Sequence, residues 1–203
     1  MDRELTIGSR VVRFRCAKEL APQADFLEGI LKDIAAQRGD DFFAPGKTIQ
    51  LGWSRLTLVE KDGVLELHEP DFDDEPAVRT RNDLTVTLTV IAQQNDITNA
   101  IGIMPVPVNF LDKIVCVEGV LEAKDVFFQR SPPKGDDSGW TMKLISDPHR
   151  DTTYSWIFVY ALLRVRPTAM QILTLPVGYM AFFLGDTLDA ILDENDKQVY
   201  PKA

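Results

Sequence analysis

Two histidines, two cysteines and 31 carboxylates set the chemistry open to this 203-residue chain. His68 and His149 stand 81 positions apart, and neither begins an HExxH or HxxxH pattern. Zinc catalysis needs three protein ligands and a shell of groups that orient them. His68-Glu69-Pro70-Asp71 contains ligand types, but Pro70 removes the helix that would bring two of them onto one face. A surface loop is therefore expected there, and no metal. Cys16 and Cys116 lie outside any CxxC spacing, at apolar positions, as reduced core residues do.

Gly135-Asp136-Asp137-Ser138-Gly139 resembles the nucleophile loop of chymotrypsin-like serine proteases, with His68 upstream. The likeness fails in detail. An extra Asp is inserted, Trp140 stands where a Gly belongs, and nothing around His68 suggests a catalytic histidine strand. A nucleophilic serine also needs a positioned base and an oxyanion hole. GxSxG, GxxxxGK[ST] and GxGxxG are all absent from the sequence. The expectation is a non-enzyme without a cofactor.

The carboxylates are unevenly placed. Residues 66–75 hold six, Glu66, Glu69, Asp71, Asp73, Asp74 and Glu75, and no Lys or Arg. Such packing is repulsive unless the groups are solvated, bound to cations or matched by a basic partner. The EF-hand spacing is missing. A solvated loop remains one reading. A docking surface for a basic protein is the other, with Phe72 as aromatic anchor and Asp136 and Asp137 as a second contact. Overall, 31 acidic against 22 basic residues give a formal charge of -9. That balance opposes direct nucleic-acid binding, which needs clustered Lys and Arg. It attracts a basic partner, or simply keeps the chain soluble.

The elements that must position these residues are short and mixed. Residues 4–15 read as one strand. Pro22 opens a helix on which Phe26, Leu27, Ile30, Leu31 and Ile34 share a face, and Gly39 closes it. Strands follow at Ile49–Trp53, Leu56–Val59 and Val64–Leu67, the last two joined through Asp62-Gly63; Glu69–Pro76 is a polar loop. Residues 83–101 alternate as a strand would, yet the run is too long for one, and Asp83 and Gly102 suit the two ends of a helix. Strands are expected at Ile114–Val120, Val126–Phe128 and Trp140–Ile145. A flexible loop is expected at Ser131–Ser138, helices near Tyr154–Arg164 and at Thr168–Leu173, and closing strands at Tyr179–Leu184 and Leu188–Leu192. Trp53, Trp140 and Trp156 are all assigned to the core. The fold class is α+β, with mixed, mostly antiparallel sheets and a few packing helices.

In the last third, Ser138-Gly139-Trp140 is followed by Leu175-Pro176-Val177-Gly178-Tyr179, then Phe182-Phe183-Leu184 and Ile191-Leu192-Asp193. This order resembles immunity protein family 33 of bacterial polymorphic toxin systems, over about residues 125–198. The family's LPPGW has Val177 and Tyr179 in place of its second proline and its tryptophan. The resemblance implies a C-terminal immunity module at 121–203 beside an N-terminal α+β region at 1–120. It implies stoichiometric binding of a cognate toxin delivered by contact-dependent or type VI secretion. A start without a long apolar run suggests a cytoplasmic site of action, and neither Tyr154–Leu163 nor Leu173–Leu184 is long enough for a bilayer. With the acidic charge, this favours a basic nuclease as partner, most of all a DNase, and no membrane. A secretion adaptor or chaperone, with an exposed apolar groove, is the alternative; an unrecognised hydrolase built on Ser138 and His68 is a third class.

Overall fold

Alternation of apolar and polar residues in short runs, punctuated by glycines, produces thirteen strands in a computed structural model that describes residues 1–148 and 153–201. His149 lies outside the described residues. The chain divides into two compact units, Met1–Ala92 and Gln93–Ala203.

In the first unit, β1 (Asp2–Ile7) and β2 (Arg10–Arg15) form a hairpin about Gly8, whose φ is +58°. The run 4–15, expected as one strand, therefore breaks where a residue without Cβ lets the chain turn back. Helix α1 (Ala21–Arg38) buries Ala24, Leu27 and Leu31, whereas Phe26, expected on that face, points to solvent. Gly39 ends the helix at φ +77°, its N–H donating to the Ala35 carbonyl. Strands β3 (Thr48–Leu51), β4 (Ser54–Lys61) and β5 (Val64–Pro70) follow, β4 turning into β5 through Asp62 and Gly63, both at positive φ. The sheet order is β1-β2-β5-β4-β3, with the two-residue β6 (Thr80–Arg81) also on β5; only β2 and β5 run parallel. Helix α2 (Thr85–Ile101) is preceded by Asp83, whose carboxylate accepts from the Thr85 amide at 3.0 Å and the Thr85 hydroxyl at 2.6 Å. It contains the division point between the units.

The second unit is built on β7 (Lys113–Val117), β8 (Val126–Arg130), β9 (Asp137–Leu144), β10 (Tyr154–Phe158), β11 (Met180–Leu184), β12 (Thr187–Leu192) and β13 (Gln198–Tyr200). Their order is β10-β7-β9-β8-β11-β12-β13, antiparallel except for β7 beside β9. Between β10 and β11 lie the single turn α3 (Leu162–Val165) and two 3-10 segments, at Val159–Ala161 and Pro167–Ile172. The helix expected near Tyr154–Arg164 is thus a strand for its first five residues. Aromatic and β-branched side chains suit a pleated surface, and β7 supplies the backbone partners. A short apolar run does not distinguish the two structures by itself.

Register separates the faces of this sheet. Cys116, Met142, Phe128, Ala181 and Ile191 are successive cross-strand neighbours, and all are buried. One residue away, Trp156, Val115, Thr141, Gln129, Met180 and Leu192 form a parallel row that is half-buried or exposed. Burial pushes the Cys116 thiol up to about 11. Phe128, Trp140 and Phe183 meet edge-to-face on the inner side, at 6.3 and 5.7 Å between ring centroids.

Candidate binding surfaces

The acidic segment after β5 is folded around two arginines. Asp71 donates its amide to the Arg79 carbonyl at 2.9 Å, bringing the chain back toward β5, where Arg81 pairs with Glu69. Arg81 lies 3.0 Å from the Glu69 carboxylate and 2.9 Å from that of Asp73; Arg79 lies 2.8 Å from that of Asp74 and 3.9 Å from that of Glu75. The carboxylates counted without a base in residues 66–75 therefore acquire their bases from just beyond that window. Glu69 is fully buried, and its other oxygen accepts the Thr87 amide at 2.8 Å. Burial pushes this carboxyl up to about 7, against the pull of Thr87 and Arg81. Phe72, expected as an exposed anchor, is 4% exposed and stacks on Trp53 at 4.9 Å. Glu69 and Phe72 fasten the segment; Asp73, Asp74 and Glu75 face solvent, and Asp71 is half-buried. His68 is held within its own sheet, Nε2 3.1 Å from Glu66 and Nδ1 3.3 Å from the Thr80 hydroxyl.

In the second unit, Asp136 and Asp137 have different duties. Asp136 is 71% exposed in its side chain and ion-pairs with Lys113 at 2.6 Å, which holds its carboxyl below the usual range. Asp137 accepts the Gly139 amide at 2.8 Å and so shapes the turn into β9. Ser138 is buried, donates its hydroxyl to the Lys113 carbonyl at 2.7 Å and accepts the Trp140 amide at 3.2 Å. Its proton is committed to main chain, as suits a structural serine rather than a nucleophile.

The Lys113 ammonium also sits 4.7 Å from the centroid of the Trp156 ring. Trp156 is 52% exposed and Tyr154 57%, so the core assignment fails for the third tryptophan while Trp53 and Trp140 are fully buried. Trp156 packs edge-on against Phe158 at 5.1 Å, and Phe158 stacks on Tyr160 at 5.4 Å. Farther along the same face, Phe127, Gln129, Lys143, Met180 and Phe182 line a half-open groove of about 330 Å³. The alternation of Tyr154, Trp156 and Phe158 around Ser155 and Ile157 was the available signal for this edge; assigning the stretch to a helix concealed it.

A family described as Imm33-like domain matches residues 93–194. The chain belongs to the Imm33-like family. The match takes in β7 to β12 and therefore both Trp156 and Asp136, while the acidic segment after β5 lies outside it. No curated protein and no solved structure matches the chain. Within the Imm33-like match, Pro176 and Gly178 form the expected turn: Tyr179 donates to the Pro176 carbonyl, Gly178 to that of Arg130, and Arg130 to that of Tyr179. Among the described residues, no three His, Cys, Asp or Glu side chains gather as a metal site, and no helix is long and apolar enough to cross a membrane.

Proposed function

We propose that this chain is an immunity protein that binds a cognate secreted toxin and neutralises it without catalysis. The Imm33-like match across residues 93–194 carries this reading. The charge of -9 supports a basic partner, in particular a nuclease, whose cationic substrate cleft attracts acids; the cytoplasm is the proposed site of action. The mechanism is occlusion. Asp71, Asp73, Asp74 and Glu75 in the first unit are the carboxylates offered to that cleft; Asp136 and Asp137, in the second unit, are a separate second candidate contact. Glu69 and Phe72 act from beneath, holding the segment in shape.

Expression of this protein alone should rescue cells from the toxin encoded by the adjacent gene, in proportion to its amount. Death at saturating expression would overturn the reading. The half-open apolar groove at Phe127, Met180 and Phe182 supports a second reading, a type VI secretion adaptor or chaperone. An adaptor would bind a non-toxic segment of the effector and leave its toxic activity intact.

A further inference from the structure

The outer edge of β10 has features of a docking edge. Among the described residues, β10 is the end strand of its sheet and pairs with β7 alone. Its register with β7 is antiparallel, with Trp156 opposite Val115. Continuing that register pairs Thr153 with Glu118 and Val159 with Asp112, and the Glu118 and Val159 amides do donate across these pairs. Hydrogen-bonded pairs recur at every second residue of an antiparallel ladder. Residues 153, 155, 157 and 159 therefore turn their main-chain groups toward β7. Tyr154, Trp156 and Phe158 turn theirs outward, off the edge of the sheet.

Natural edges are usually blunted by charge, proline or a bulge. Tyr-Ser-Trp-Ile-Phe has no charge and no proline, and its register with β7 is unbroken. Its first three residues are exposed, two of them aromatic. Tyr and Trp, with Arg, are the side chains enriched where a few residues carry a protein interface. The formal charge around this edge is net acidic: Asp112 and Glu118 bracket β7, while Asp136, ahead of β9, is matched by the Lys113 that it holds over the Trp156 ring. A second copy would bring a like-charged rim, and -9 overall, against this edge. A basic partner would not.

We propose that β10 is the edge to which an extended segment of the basic cognate toxin adds as a further strand, with Trp156 as its anchor. This rests on the immunity reading above and supplies its point of contact. Strand addition takes affinity from main-chain hydrogen bonds and specificity from alternate side chains. Here both come from the same three residues.

The test uses the full chain and a catalytically inactive form of the toxin domain encoded by the adjacent gene. Hydrogen exchange on the complex should show new protection at the amides of Tyr154, Trp156 and Phe158. Tyr154→Pro removes one outward N–H and leaves the β7 ladder intact; Trp156→Ala removes the anchor. Each should weaken binding roughly tenfold or more while melting near wild type. Wild-type affinity in both variants, or no new protection, would overturn the docking edge and leave the immunity reading standing. Absence of any binding or rescue by the wild type would overturn both. A dimer in sedimentation that Tyr154→Pro dissolves would assign the edge to a second copy and overturn the proposal.

Discussion

The Trp140 indole donates its N–H to the Leu173 carbonyl at 3.2 Å, and the Arg130 guanidinium donates to the same carbonyl at 3.3 Å. Arg130 also bonds the carbonyls of Val106, at 2.7 Å, and Leu175, and lies 5.6 Å from the Trp140 ring centroid. Arg130 is buried, and desolvation draws its guanidinium below the ordinary arginine range. The Ser-Gly-Trp and Leu-Pro-Val-Gly-Tyr segments, far apart in sequence, thus meet through two donors and one turn.

These donors can be removed separately. Trp140→Phe keeps most of the packing and leaves Leu173 to Arg130, at a cost of about 1 kcal/mol. Arg130→Met strips three carbonyls of a donor, those of Leu173 and Leu175 buried and that of Val106 partly so, and a loss of ~3 kcal/mol or more is expected. Urea unfolding with an unchanged m-value would measure both, and an Arg130→Met variant as stable as wild type would contradict the assignment.

Gly139 should be irreplaceable where Gly135 is not. Both have positive φ, +81° and +62°. A Cβ on Gly139 would collide with the Ser131 carbonyl oxygen, which is backbone and cannot swing away; a Cβ on Gly135 meets nothing. Gly135→Ala should cost about 1 kcal/mol, the penalty of the left-handed conformation alone. Gly139→Ala adds a steric clash to it and should lower Tm by a clearly larger step.

Glu69 gives the first unit an unusual pH dependence. Its carboxyl is raised to about 7 from an ordinary 4.5, so the folded state holds this proton more tightly than the unfolded state. The contribution is complete below pH 4.5, and it is lost as pH rises through 7. Its size is on the order of 3 kcal/mol. The stability advantage of wild type over Glu69→Gln should therefore be greater at pH 5 than at pH 7.5. Denaturant titrations of both at the two pH values would show it, and an advantage that grows with pH would reverse the assignment.

Neutralisation of the exposed acids tests occlusion with little disturbance of the fold. Asp73→Asn with Asp74→Asn alters side chains that are 79% and 53% exposed and removes their surface ion pairs with Arg81 and Arg79, so Tm should fall only slightly. Toxin affinity should fall, and its dependence on salt should become shallower as attractive charge is lost. Unchanged affinity and salt dependence would remove this segment from the contact surface.

Much of this architecture was legible in the sequence. Asp83 and Gly102 mark the two ends of α2 by cap chemistry, and Asp62-Gly63 fixes the β4–β5 hairpin. What escaped depended on partners outside the segment being read, some only a few residues beyond it and others far along the chain. Nothing local announces that Arg79 and Arg81 return to the acidic segment, or that Phe72 meets Trp53. The identity of β10 was hidden because its backbone partners lie about forty residues earlier, on β7.

The strand order of the second unit also bears on how it is made. β9 must slip between β7 and β8, β10 must return to β7, and β11 to β8. Pairings of this kind close large loops before they repay the entropy, and they slow folding. During synthesis, β8 keeps an unpaired edge until Leu184 has emerged. Until β11 docks, the bare edge of β8 is a template on which a strand of another chain could pair, so this step is where misassembly would begin.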